Sequence, residues 1–295
     1  MRMQEYNDRQ RVVELLGGPA AVADFGNGPA ALFVHGVFLS GALWRNVIEN
    51  VSSVRRCIAV DLPAHGGTSA IADLSLGGLV AWLEELCREL KLDQFDLVAN
   101  DTGGAIAQVF AAQAPERIRT LTLTNCDAGE NLPPAEFLPT VEMAVKGELA
   151  PGLTALVADL DAYRSVLLEA GYERPDEVPD EIALAYARPL LEDADGGRNI
   201  ERYITSLNAE PLVASESALG ALHAPTLIVW GGSDRFFEPK WAHWLAELIP
   251  GTKTVTEIPD AKLWFPDERG AEFASHLLQF WREWSVVATE NAGAP

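Results

Sequence analysis

Between Arg11 and Leu123 the chain alternates short apolar runs with amphipathic stretches. The apolar runs are ALFVHG (Ala31–Gly36), CIAVDL (Cys57–Leu62), FDLVAN (Phe95–Asn100) and TLTLTN (Thr120–Asn125), each closed by polar or glycine residues. Unbroken runs of this kind predict strands buried on both faces, as in a parallel sheet. Between them, Leu43–Val51, Leu76–Leu92 and Gly103–Ala114 predict helices. In the second, Leu79, Trp82, Leu83, Leu86 and Leu90 recur at helical spacing. Ahead of these, Arg11–Leu16 and Ala20–Phe25 predict an antiparallel hairpin around Gly17-Gly18-Pro19. Two late strands, TLIVWG (Thr226–Gly231) and KTVTEIP (Lys253–Pro259), precede helices over Pro239–Leu248 and Gly270–Trp284. Alternating strand and helix predicts an α/β fold with a mostly parallel, doubly wound sheet.

Residues 129–218 break the rhythm. They hold few β-branched runs and much Ala, Leu, Glu and Asp. Helices are predicted at Ala135–Lys146, Leu153–Ala170, Pro179–Leu191 and Asn199–Leu207, separated by Pro133-Pro134, Gly171 and Gly196-Gly197. The predicted organisation is a core domain over 1–128 and 219–295, with a helical cap inserted over 129–218. The end, Val287–Pro295, is small and polar and is expected to fray.

The chain has 295 residues, enough to bury a sizeable core. Its net charge of −21 repels phosphate backbones and anionic membranes, which argues against nucleic-acid and membrane partners. The partner expected is a small molecule, and a homodimer is compatible with the sequence. Cys57, Cys87 and Cys126 lie in apolar patterns and read as buried small hydrophobes. No signal core or membrane-spanning run is present in the sequence, and a reduced, cytoplasmic setting is expected. No Walker lysine accompanies the Gly-rich turn and no His/Cys metal spacing occurs, so neither cofactor nor metal is expected.

The strongest chemical signal is LVANDTGGAIAQVF. A strand ends at Asn100, and Asp101, Thr102, Gly103 and Gly104 open a helix. A sharp strand–turn–helix corner strains its central residue and tolerates only small residues two positions away, here Ala99 and Gly103. The central carboxylate, at the positive end of a helix, is stabilised as an anion and available as a nucleophile. Alone, Asp101 would read as a helix N-cap.

Further motifs follow in order. His35–Trp44 (HGVFLSGALW), Asp61–Thr68 (DLPAHGGT), NDTGGA and Val229–Asp234 (VWGGSD) resemble the loop, turn, nucleophile elbow and acid segment of the α/β-hydrolase fold. The chain resembles its aspartate-nucleophile branch, the haloalkane dehalogenases and epoxide hydrolases, from Arg11 to Trp284. That resemblance implies Asp101 as nucleophile and the backbone N–H groups of Val37 and Thr102 as an oxyanion hole. It implies Asp234 as the acid that orients a histidine, and Asp127 as an alternative acid. Other family features are missing. Dehalogenases commonly carry Trp after the nucleophile and Asn after His-Gly, where this chain has Thr102 and Val37; fluoroacetate-type enzymes use Arg at the Thr102 position. Epoxide hydrolases have Pro at the Phe38 position and use cap tyrosines, for which Tyr163, Tyr172, Tyr186 and Tyr203 are available.

The final histidine of the family falls on Leu263, beside Lys262, in IPDAKLWFPDERG. His65 is expected to be exposed; His223, His243 and His276 read as surface or packing residues. Only His35 is expected near the site, where its ordinary role is holding a loop. Without a base, an ester on Asp101 should hydrolyse about a hundredfold to ten-thousandfold more slowly. What remains is an apolar pocket with Asp101, Asp127 and Asp234 at strand ends and His35, Phe38, Phe236, Leu263 and Trp264 around them. Like charges in apolar surroundings raise at least one carboxyl pKa, giving an acid/base pair, unless Lys262 neutralises Asp234. Three functions follow: a hydrolase with an unconventional base, a cofactor-free lyase, isomerase or cyclase, and a binding protein without turnover. The intact elbow counts against the third, because burying a carboxylate is costly.

Overall fold

The structure is a computed structural model and describes residues 1–284; the expected fraying over 287–295 lies outside them. Eight strands are present: β1 (Gln10–Leu15), β2 (Gly18–Phe25), β3 (Ala30–Val34), β4 (Arg56–Val60), β5 (Phe95–Asp101), β6 (Ile118–Cys126), β7 (Thr226–Gly231) and β8 (Thr252–Ile258). They form one sheet in the order β1-β2-β4-β3-β5-β6-β7-β8. β1 and β2 make the expected hairpin, β2 meets β4 antiparallel, and every later pairing is parallel. Every residue of β5 is buried, as its unbroken apolar pattern requires of a central strand.

Helices connect the strands. α1 (Met3–Asn7) precedes the sheet; α2 (Arg45–Val51), α3 (Leu76–Glu89) and α4 (Thr102–Gln113) alternate with strands. α3 buries Leu79, Trp82, Leu83 and Leu86, each full burial contributing roughly 1.5–3 kcal/mol. Seven helices lie between β6 and β7: α5 (Leu138–Lys146), α6 (Leu149–Val157), α7 (Leu160–Val166), α8 (Asp180–Glu192), α9 (Gly196–Ser206), α10 (Glu210–Ala214) and α11 (Glu216–Leu219). α12 (Pro239–Leu248) follows β7; α13 (Phe265–Glu268) and α14 (Gly270–Trp284) follow β8. Among the described residues no helix is long and apolar enough to cross a membrane.

Two elements differ from the pattern. The helix expected over Leu153–Ala170 is broken at Asp159, whose carboxylate caps the N–H groups of Asp161 and Ala162 and starts α7 anew. The α1 helix has no counterpart in the predicted pattern; it buries Met3 and Tyr6, two apolar residues too few to show a period. The three cysteines are free and buried, as expected.

Candidate active site

Asp101 stands at the corner between β5 and α4 with φ 58° and ψ −136°. A side chain held there costs roughly 1–3 kcal/mol, so the surroundings must fix it. They do so by close approach. A β-carbon on Gly103 would lie 2.3 Å from the His35 carbonyl oxygen and 2.6 Å from that of Val34. One on Gly36 would lie 2.3–2.5 Å from the Asp101 side chain. Gly103→Ala is therefore expected to destabilise the fold by about 3 kcal/mol or more. A denaturant midpoint equal to that of the parent would show that the corner is not closed.

The elbow holds its own carboxylate. Asp101 Oδ1 accepts from the Thr102 N–H at 2.7 Å and from the Thr102 hydroxyl at 3.3 Å. The Val37 N–H acts on the same carboxylate and favours its ionised form. Donors in these positions match an aspartyl nucleophile, because the oxyanion of an aspartyl ester under attack forms on the aspartate's own oxygen. The backbone N–H groups of Val37 and Thr102 thus both face the Asp101 carboxylate.

Three acids gather at the carboxyl ends of β5, β6 and β7. Asp101 is 8% exposed; burial pushes its carboxyl up to about 7, against the opposing Thr102 N–H and with the help of the Asp234 charge. Asp127 is buried and neither of its oxygens makes a well-formed hydrogen bond; the Thr102 hydroxyl and its own N–H act on it only weakly. Burial first, and then the Asp101 charge, hold its carboxyl well above the usual carboxylate range. Asp234 accepts from the Phe236 N–H and the Asn125 amide, both at 2.8 Å, yet burial still lifts it to about 6. Lys262 does not neutralise it, as its ammonium is held by the Glu169 carbonyl at 3.0 Å and carboxylate at 3.1 Å. The other end of β5 offers a contrast. There Asp96 is fully buried and clamped by Arg55 at 2.7 Å, by Arg119 at 2.8 and 2.9 Å, and by the Thr120 hydroxyl at 2.8 Å. The fold pairs a buried carboxylate at one end of this strand and leaves those at the other end without a cation partner.

The histidines take other roles. His35 accepts the Leu62 N–H on Nε2 at 2.9 Å and, through Nδ1, donates to the Gly36 carbonyl at 2.7 Å. Both nitrogens are used within the loop, and burial holds the ring well below its usual pKa. It does not line the cavity, which corrects its place among the pocket residues. His65 is buried rather than exposed, because Tyr203 of α9 lies against it with ring centroids 4.8 Å apart. His243 pairs at the surface with Glu257. None of the five histidines lines the cavity.

The cavity has a volume of about 380 Å³. Its floor carries Asp101, Thr102 and Asp127; Val37, Phe38, Phe236, Leu263 and Trp264 line it, and Asp234 sits behind the wall rather than on it. Leu263 is fixed in this wall, its carbonyl accepting from the Asn100 amide at 3.0 Å. The helical segment supplies the opposite wall, including Phe137, Leu149, Leu153, Leu156, Ile204 and Leu207. Nothing in the sequence marks these residues as facing a cavity. The spacing of Leu149, Leu153 and Leu156 marks one helix face, but not what that face meets. Of the tyrosines in the helical segment, Tyr172 and Tyr186 are committed to Asp267, whereas the buried Tyr203 hydroxyl has no partner.

The comparisons with known proteins agree with this architecture. A monoacylglycerol lipase of Xenopus laevis, abhd6-A, is 26% identical over 231 residues, covering 77% of this chain and 67% of that protein. A cis-3-alkyl-4-alkyloxetan-2-one decarboxylase of Shewanella oneidensis is 27% identical over 281 residues, covering 90% and 86%. Among solved structures, the haloalkane dehalogenase DbeA of Bradyrhizobium elkani superposes with a TM-score of 0.77 at 22% identity, covering 95% of this chain and 99% of its own. The alpha/beta hydrolase fold family matches residues 29–269, and with the strand order and the elbow this chain belongs to that family.

Proposed function

We propose that this chain is a cofactor-free enzyme of the non-hydrolytic kind, a lyase or isomerase, acting on an uncharged apolar molecule held between the sheet and the helical segment. Asp101 is the base or nucleophile and Asp127 the acid. The observation that carries the reading is Asp127 itself. It is a buried carboxyl group on the cavity floor, without a well-formed hydrogen bond, beside a second carboxylate held by backbone donors. A protonated and an ionised carboxyl group side by side can take a proton from one atom of a substrate and give one to another. Leu263 at the base position argues in the same direction, because an ester on Asp101 would have no imidazole to activate water. The relatives span both chemistries by name: the Shewanella protein is a decarboxylase, and epoxide hydrolase 3 of Xenopus tropicalis is 23% identical over 280 residues.

The test is a panel of uncharged epoxides, alkyl halides and four-membered lactones, followed by product analysis and intact-protein mass. The expected result is conversion without incorporation of solvent oxygen, and without a covalent adduct for the preferred substrate. Asp127→Asn, which keeps shape and neutrality but removes the proton, should lower this conversion by about a hundredfold to ten-thousandfold. Full activity in that variant, or solvent oxygen in the product, would rule the reading out.

A second reading has one observation in its favour. The Trp264 indole N–H is buried without a partner, and Trp264 lines the cavity. An unpaired donor there suits a departing halide, and hence dehalogenation. The adduct kinetics described in the Discussion separate the two.

A further inference from the structure

The segment around the absent histidine is fastened to the helical insertion almost residue by residue. The Lys262 ammonium is held by Glu169. The Trp264 N–H donates to the Gly171 carbonyl at 2.8 Å, and the indole packs so close that a β-carbon on Gly171 would lie 2.4 Å from it. The Tyr172 hydroxyl donates to Asp267 at 2.6 Å, while Arg45 and Asn46 of α2 hold the other oxygen of that carboxylate at 2.5 and 3.0 Å. Glu268 accepts the N–H groups of Glu173 and Arg174 at 2.7 and 2.9 Å. Arg269 forks onto Glu173 at 2.6 and 2.7 Å.

Isolated exposed ion pairs contribute little, but Asp267 is 3% exposed and Tyr172 1%, so their hydrogen bonds are made in a medium where each is strong. Leu263 and Trp264 lie inside this ladder and are both buried, and both line the cavity. We propose that Tyr172 and Glu268 are positioning residues: by clasping residues 169–174 onto residues 262–269 they hold Leu263 and Trp264 as a dry wall beside Asp101. The inference rests on the proposed reading in one respect, that a dry Asp101 is what the acid/base chemistry needs. Loosening the clasp admits water and lowers the proton affinity of Asp101.

The experiment uses the full chain with Tyr172→Phe and Glu268→Gln combined. Amide hydrogen exchange over residues 171–174 should accelerate tenfold or more. The carboxyl carbon of Asp101, labelled with carbon-13 and assigned by its loss in Asp101→Asn, should titrate at least one pH unit lower than in the parent. A folded double variant with an unmoved Asp101 midpoint overturns the proposal, since a purely structural ladder would alter exchange and stability alone. Unchanged exchange overturns it as well. Should the double variant fail to fold, Tyr172→Phe alone, which keeps the ring and the Glu268 contacts, is read by the same two measurements. Neither requires turnover, so they stand even if Asp101→Asn leaves conversion intact, the outcome that would defeat the proposed function.

Discussion

Asp101→Asn is expected to abolish conversion and yet make the protein more stable above neutral pH. The carboxyl group moves from an ordinary 3.8 when unfolded to about 7 in the fold, chiefly through burial. A raised carboxyl binds its proton more tightly when folded. The stability it contributes is therefore full below about pH 4 and lost as pH rises through about 7. At pH 8 the ionised Asp101 opposes folding by up to about 4 kcal/mol, and the amide, which never ionises, escapes that penalty. Asparagine also tolerates positive φ and keeps an oxygen for the Thr102 N–H. Melting temperatures of parent and variant should coincide near pH 4 and separate by pH 8, with the variant higher. Turnover should fall at least about a thousandfold. A variant less stable than the parent at pH 8 would mean that the carboxylate is not buried at a cost.

Leu263→His carries the second large effect. An alkyl halide or epoxide outside the natural substrate range should esterify Asp101 in the parent and stay there, because no imidazole lines the cavity. A histidine at position 263 replaces a buried side chain of similar size beside the cavity floor. Its neutral imidazole can activate water against the ester, and release should quicken by about a hundredfold to ten-thousandfold. The change is expected to cost about 1–3 kcal/mol of stability where the new ring finds no hydrogen-bond partner. Intact mass followed over time reads the ester directly. Rapid release from the parent would reveal another base and return the chain to ordinary two-step hydrolysis.

The sheet and the elbow were legible because their residue types answer to backbone geometry. The buried strands show as unbroken apolar runs, and Asp101 shows because Ala99 and Gly103 leave room for a corner. Pairings between distant residues were not legible. Tyr172 and Asp267 are 95 positions apart, and nothing in either neighbourhood announces the other. His65 looked like a surface turn because the ring that covers it, Tyr203, arrives from the helical segment. Asp234 stands behind the cavity wall, where it bonds Asn125 and the Phe236 N–H, a placement that its strand-end position does not disclose. Which face of a helix meets a cavity depends on packing angles that a period of 3.6 does not contain.

The clamp of Arg55, Arg119 and Thr120 on Asp96 has a mechanical side. It ties the start of β5 to β6 on one side and, across β3, to the residue before β4 on the other, five residues before Asp101. A strand anchored there cannot creep along its register to relieve the contorted backbone at its tip. A guest pressing on that tip thus pushes against something close to a rigid rod, and it is the guest that must bend.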